Sequence, residues 1–226
     1  MFALIAAPVT GIAILMMFNR YLGKSTTPRP LVHELPTRGL LSVCIHPQFR
    51  NSNKVYLVNY INGTLLFKFI RRYPALNSDR DAADEEEDSY LVYSLTHPTT
   101  NFQICSIKIS KLSSQILFNA ATTTDNLKDL GLIDIRTIIT KDDVYKMFIL
   151  SNGSTYQWSF KTKQLEQVID RSTMNEPEVR NQVAVVRRMG SNTWEFKFDE
   201  EQLPAEVVLS TGLVSILEQW TSTFGF

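Results

Sequence analysis

Two cysteines in 226 residues, Cys44 and Cys105, cannot form a disulfide framework. Each sits in an apolar, strand-like stretch, where a buried inert thiol is a plainer reading than a nucleophile. Surplus charge is also missing. Twenty-three basic side chains balance 23 acidic ones, so the basic face that nucleic acid requires is not expected. Nine glycines and nine prolines are too few for a collagen-like or linker-like chain. The three histidines, His33, His46 and His97, are scattered, and no His or Cys falls at metal-ligand spacing. G-x-S-x-G, Walker A, G-x-G-x-x-G and H-E-x-x-H are all lacking. No cofactor, metal or catalytic residue set is therefore expected, and the chain reads as a non-enzyme. What it does contain is 44% apolar and 11% aromatic residues, enough for one sizeable core in one domain.

Phe2 to Phe18 (FALIAAPVTGIAILMMF) carries no charge. As a helix it would extend roughly 25 Å, the short end of a bilayer span. Phe2, Leu4, Ile5, Ile12, Ile14, Leu15 and Phe18 are its anchoring side chains. Arg20, Lys24, Arg29 and Arg38 all follow the run. A single-pass anchor would then leave the body on the cytoplasmic or mitochondrial matrix side. A targeting peptide and a buried or partner-bound helix are the competing readings; Pro8 and Gly11 interrupt the span, and a presequence should be Arg-rich. Residues 1–24 form the hydrophobic segment, and 25–39, with prolines at 28, 30 and 36, read as an extended linker leading away from the membrane.

From Leu40 on, short β-type runs follow one another with turn signals between them. They are 40–45, 54–61, 64–70, 90–96, 102–109, 115–118, 132–139, 144–151, 154–160, 165–170, 182–189 and 193–198. Asn62-Gly63 and Asn152-Gly153 read as two-residue hairpin turns with both residues at positive φ. Both are also formal glycosylation sequons, but a turn explains them without a sugar. In Thr193–Phe198, Trp194, Phe196 and Phe198 can share a dry face, leaving Glu195 and Lys197 on a wet one. No helical periodicity lies between the runs, so parallel βαβ units are not expected and an antiparallel barrel or sandwich is. Residues 76–89 hold seven acids against Arg80 and read as a solvated surface loop. A calcium site there would lack the glycine and the spaced oxygens that the ion requires. Arg71-Arg72 and Arg187-Arg188 are the tight basic pairs. The plain reading is a solvated sheet edge; the functional one is contact with anionic lipid headgroups.

The C-terminal stretch differs in kind. Val207 to Leu217 is uncharged and apolar on every side of a helical projection, so a helix over 205–220 belongs inside protein or lipid. It is too short to span comfortably, and the inside of the barrel is its expected place. Three features then run in order: NGSTYQW (Asn152–Trp158), QVAVVRRMGSNTWEFKF (Gln182–Phe198) and VVLSTGLVSIL (Val207–Leu217). With them the chain resembles the tubby C-terminal-like superfamily, which includes the LURP-one-related proteins and the phospholipid scramblases. The pattern extends over residues 40–226 and reaches motif level over 151–217. The resemblance implies a closed barrel of about twelve strands around one hydrophobic C-terminal helix. It does not carry over paired phosphoinositide-binding cations, a calcium segment or a cysteine-rich palmitoylation run.

These readings converge on a non-enzymatic, membrane-anchored β-barrel module for lipid association or protein interaction, with membrane lipids, anionic ones among them, as partners. The alternative is a structural subunit of a membrane complex, held by a partner protein through residues 2–22, where Gly11 and the nearby alanines allow close approach.

Overall fold

The computed structural model describes residues 30–45, 54–72, 91–110, 113–119, 129–171, 177–190 and 193–220. The Phe2–Phe18 anchor and the acidic stretch 76–89 lie outside them. Thirteen strands are present: β1 (Leu31–His33), β2 (Leu41–Ile45), β3 (Lys54–Asn59), β4 (Leu65–Arg72), β5 (Leu91–Thr96), β6 (Gln103–Ile109), β7 (Ser114–Phe118), β8 (Leu132–Ile139), β9 (Val144–Ile149), β10 (Thr155–Ser159), β11 (Gln164–Asp170), β12 (Val179–Arg188) and β13 (Trp194–Phe198). From β2 to β13 every strand pairs antiparallel with its neighbour in sequence. β13 then returns to β2, with Trp194 opposite Ile45 and Phe198 opposite Leu41. The result is a closed twelve-stranded up-and-down barrel, with no free edge left in the ring.

β1 is outside this ring. Leu31, Val32 and His33 lie parallel to Val179, Arg180 and Asn181 at the start of β12. Within the segment 25–39, these three positions are extended and hydrogen-bonded to the barrel. The two Asn-Gly turns are corrected in detail. Only Gly63 (φ 70°) and Gly153 (φ 84°) take positive φ there. Gly153 N donates to Leu150 O at 2.9 Å, the pattern of a type I turn closed by a left-handed glycine. Asn62 and Asn152 serve instead through their side chains, accepting from Thr64 N and Ser154 N, each at 2.9 Å.

Alternation sorts the barrel wall. Phe69, Leu95, Cys105, Ile107, Ile116, Ile133, Phe148, Trp158, Ala184 and Phe196 are fully buried. The lumen they line is filled by α1 (Ala205–Ser215), continued by one π-helical turn (Ile216–Trp220). Every residue of α1 except Glu206 is buried, which is what an all-round apolar helix requires. Gly212 is set where an added Cβ would fall 2.2 Å from Phe196 Cε1. A ring edge on β13, rather than a strand backbone, comes closest to it. The wet face is not wholly wet: Glu195, outward on β13, is buried and accepts from Ser42 Oγ at 2.8 Å.

Candidate functional site

In an antiparallel meander, successive turns alternate between the two ends of the barrel. The β3–β4, β5–β6, β7–β8, β9–β10 and β11–β12 connections share one end, where β1 joins and α1 begins. We call it the proximal end, because the chain from the N-terminal segment arrives there. α1 runs from it toward the distal end, where β2 ends, β13 begins and Trp220 lies.

The lumen is a packed core with specific polar ties. Trp158 Nε1 on β10 donates to Thr211 Oγ1 at 3.0 Å. Thr211 Oγ1 in turn donates to Val207 O at 2.7 Å. Cys105 on β6 lies beside Ser210, and burial pushes its thiol up to about 12, against the opposing bonds from the Leu95 backbone and Ser210. Such a thiol is protonated and unreactive at neutral pH. Cys44 is turned to the outer wall opposite Glu195. Its thiol is raised by burial and then by the Glu195 carboxylate.

At the distal mouth, polar groups concentrate. The Glu218 carboxylate forms an ion pair with Lys146 from β9 and accepts from the Ser114 hydroxyl on β7. Lys146 Nζ also donates to Thr137 Oγ1 of β8 at 2.9 Å. Trp220 stacks on Trp194 with centroids 6.0 Å apart and meets Trp158 edge-on at 5.6 Å. Ser215 Oγ, the Gln219 amide and Trp220 Nε1 are buried without a hydrogen-bond partner among the described residues.

On the outer wall, Arg180 of β12 is buried beneath a polar network. It donates to Glu166 Oε2 at 2.7 Å, pairs with Glu178, and lies over the Tyr145 ring at 5.2 Å. With its amide oxygen turned toward the guanidinium, Gln157 accepts from Arg180 Nη1 at 2.8 Å. Burial alone would lower the Arg180 pKa; the bonds to Tyr145, Glu166 and Glu178 outweigh it and hold the charge firmly. Nothing short-range in the sequence signals this cluster, since its members come from four strands.

The proximal end carries two surfaces. One is an open groove of about 520 Å³ between β1 and the β10–β12 strands, lined by His33, Asn152, Ser154, Gln167, Asn181 and Gln202 among others. The other is an arc of exposed apolar side chains on the β3–β8 side: Tyr60, Ile61, Phe102, Leu117 and Leu132.

The basic pairs from the sequence reading are not brought together. Arg71 and Arg72 end β4, Arg187 and Arg188 end β12, and β13, β2 and β3 separate them around the ring. All four stand at the distal end. Arg72 Nε donates to Ser94 Oγ at 3.4 Å, and Arg188 Nε donates to Gly190 O at 3.0 Å and lies over the Trp194 ring. Arg187 and Arg188 are exposed. Among the described residues no group of His, Cys, Asp and Glu is placed to hold a metal ion, and no helix is long and apolar enough to cross a membrane. The anchor residues from Phe2 to Phe18 lie outside those residues. No known family, no characterised protein and no solved structure matches the chain.

Proposed function

We propose that the chain is a non-enzymatic, membrane-anchored β-barrel module that acts by lipid association, built on the tubby-like plan of a barrel around its own helix. One observation carries the reading: the lumen is filled by α1, so the domain offers its ends and outer wall rather than an interior chamber. The chain from the uncharged Phe2–Phe18 run joins at one of those ends, through β1. The side chains offer two alternative routes to lipid, one at each end of the barrel. If the distal end faces the membrane, its arginines meet anionic headgroups, a contact that fades in high salt. If the proximal end does, the apolar arc enters the interface itself. The anchor is tested by alkaline carbonate extraction of membranes holding the full chain. The wild type stays in the membrane pellet, while Leu15→Arg is released, because an arginine near a helix centre costs about 3 kcal/mol on insertion. Release of the wild type would overturn the reading. Co-purification with one membrane protein in fixed stoichiometry would replace it with the accessory-subunit reading.

A further inference from the structure

The six most exposed large apolar side chains among the described residues are Ile61, Phe102, Tyr60, Leu117, Leu31 and Leu132. All six lie at the proximal end. Ile61 is 80% exposed and Phe102 62%, whereas the most exposed large apolar residues toward the distal end, Tyr56 and Met189, reach 50% and 48%. A compact barrel has no packing reason to collect apolar tips at one rim.

These tips are held, not loose. Asn59 Oδ1 accepts from Ile61 N at 2.9 Å, and Gly63 N donates to Asn59 O at 2.8 Å, closing the β3–β4 turn. In the next hairpin, His97 N donates to Phe102 O at 3.0 Å, and Asn101 adopts a left-handed φ of 58° that sets Phe102 in place. Lys68 Nζ bridges the two hairpins by donating to Asn101 Oδ1 at 3.0 Å. Leu117 and Leu132 sit directly opposite each other across β7 and β8 and continue the arc.

The path of the chain supplies the occupant. Residues 19–30 separate the apolar run from β1. Fully extended, twelve residues reach about 40 Å, so an anchored body stays within that distance of the bilayer. The chain arrives at the proximal end, which makes that end the one the tether brings nearest to lipid. Tyr is a side chain of the membrane–water interface, and apolar Phe and Ile beside it gain by burial at the headgroup–acyl boundary.

We propose that the proximal rim docks on the bilayer surface, with Tyr60, Ile61 and Phe102 entering the interface and the distal mouth, with Arg72, Arg187 and Arg188, facing away. This rests on the membrane-anchored reading and fixes its orientation. The driving contact is apolar, so zwitterionic lipid suffices and high salt does not release it.

The test uses the full chain reconstituted into phosphatidylcholine vesicles. Cys44 and Cys105 are buried, so single cysteines at Ile61→Cys, Phe102→Cys or Met189→Cys take a polarity-sensitive dye selectively. Emission of the buried tryptophan cluster reports that each variant is folded. The expected result is blue-shifted dye emission at 61 and 102, quenched several-fold more by spin-labelled lipid than the dye at 189, unchanged in high salt. Protein that floats with the vesicles but shows water-like dye at 61 and 102 overturns the docking while leaving the anchor intact. So does quenching at 189 instead, which would turn the arginine end to the membrane. Blue-shifted dye at 61 and 102 without lipid quenching would assign the rim to a second copy of the chain and overturn it likewise. Failure of the chain to float would remove the anchored reading and the docking together.

Discussion

Replacing Gly212 by alanine sets helix propensity against packing. In an exposed helix the change stabilises by about 1 kcal/mol, because alanine has less backbone freedom to lose. Here an added Cβ lands 2.2 Å from Cε1 and 2.7 Å from Cζ of Phe196. Carbon atoms in contact prefer about 3.5–4.0 Å, so the ring must retreat by roughly 1.3 Å or more. Its surroundings oppose that. Phe196 is fully buried and meets Trp158 edge-on at 6.1 Å, while Trp158 is tied to Thr211 and backed by Trp220. Overpacking of this kind costs about 1–3 kcal/mol, enough to outweigh the propensity gain. The expected net loss is about 1 kcal/mol, a fall in melting temperature of about 2–4 °C for a domain of this size. All three tryptophans, at 158, 194 and 220, belong to the same cluster, so urea unfolding followed by tryptophan emission reports this core directly. In a Phe196→Leu background the ring edge is gone and Gly212→Ala should become neutral or stabilising. A stabilising Gly212→Ala in the wild-type background, or strict additivity of the two changes, would refute the steric argument.

Truncation before Ala205 removes seven large buried apolar side chains of α1 and its π turn, each contributing about 1.5–3 kcal/mol of burial, against a typical net stability of about 5–15 kcal/mol. The shortened chain should show no cooperative melt; a cooperative transition would mean that the barrel stands without its helix. Arg180→Met strands a buried Glu166 carboxylate and should cost about 3–5 kcal/mol, most of it recovered in Arg180→Met/Glu166→Leu. Identical urea midpoints for wild type and single variant would reduce the network to a surface pair. Cys105 keeps its proton up to about pH 12 when folded, but ionises near its ordinary value of 9.0 when unfolded. Its contribution is therefore complete below that value and lost as pH rises through the window, by up to about 1.4 kcal/mol per pH unit, so wild type should lose stability more steeply than Cys105→Ala between those limits.

All twelve barrel strands are legible in the sequence because short apolar, β-type runs, several of them strictly alternating, recur between turn signals, even where the connection is long, as between β4 and β5. β1 is not. Three residues between prolines have no pattern to read, and their partner in β12 lies about 150 positions away in parallel register. The turn type escapes for a subtler reason: Asn-Gly favours positive φ at both residues, yet an asparagine that bonds two residues on satisfies a type I turn equally well. The lumen helix is legible from its uniform apolarity, while its π-helical last turn has no sequence signal. The arginine pairs are visible as composition, but their separation around the ring depends on counting strands. The apolar arc is the reverse case. Tyr60, Ile61 and Phe102 look like ordinary strand ends until topology puts two hairpins side by side at one end.

A helix apolar on every face has no preferred rotation inside an apolar lumen, since burial is the same at any angle. Register must come from contacts that tolerate one position only. The barrel supplies three along the helix. Thr211 meets the Trp158 indole nitrogen, Gly212 admits the Phe196 ring edge, and Glu218 reaches Lys146 and Ser114 at the distal mouth. The first and third use buried polar groups, for which a rotated helix would leave donors and acceptors unpaired at about 1–3 kcal/mol each. The second uses shape, since any residue but glycine at that point collides. Thr211 and Gly212, with Glu218 in the π turn, are thus the residues that give an otherwise featureless helix one seat. Because β10, β13, β9 and β7 all contribute to that seat, the helix ties strands from opposite sides of the ring to one another, in addition to the β13–β2 pairing that closes it.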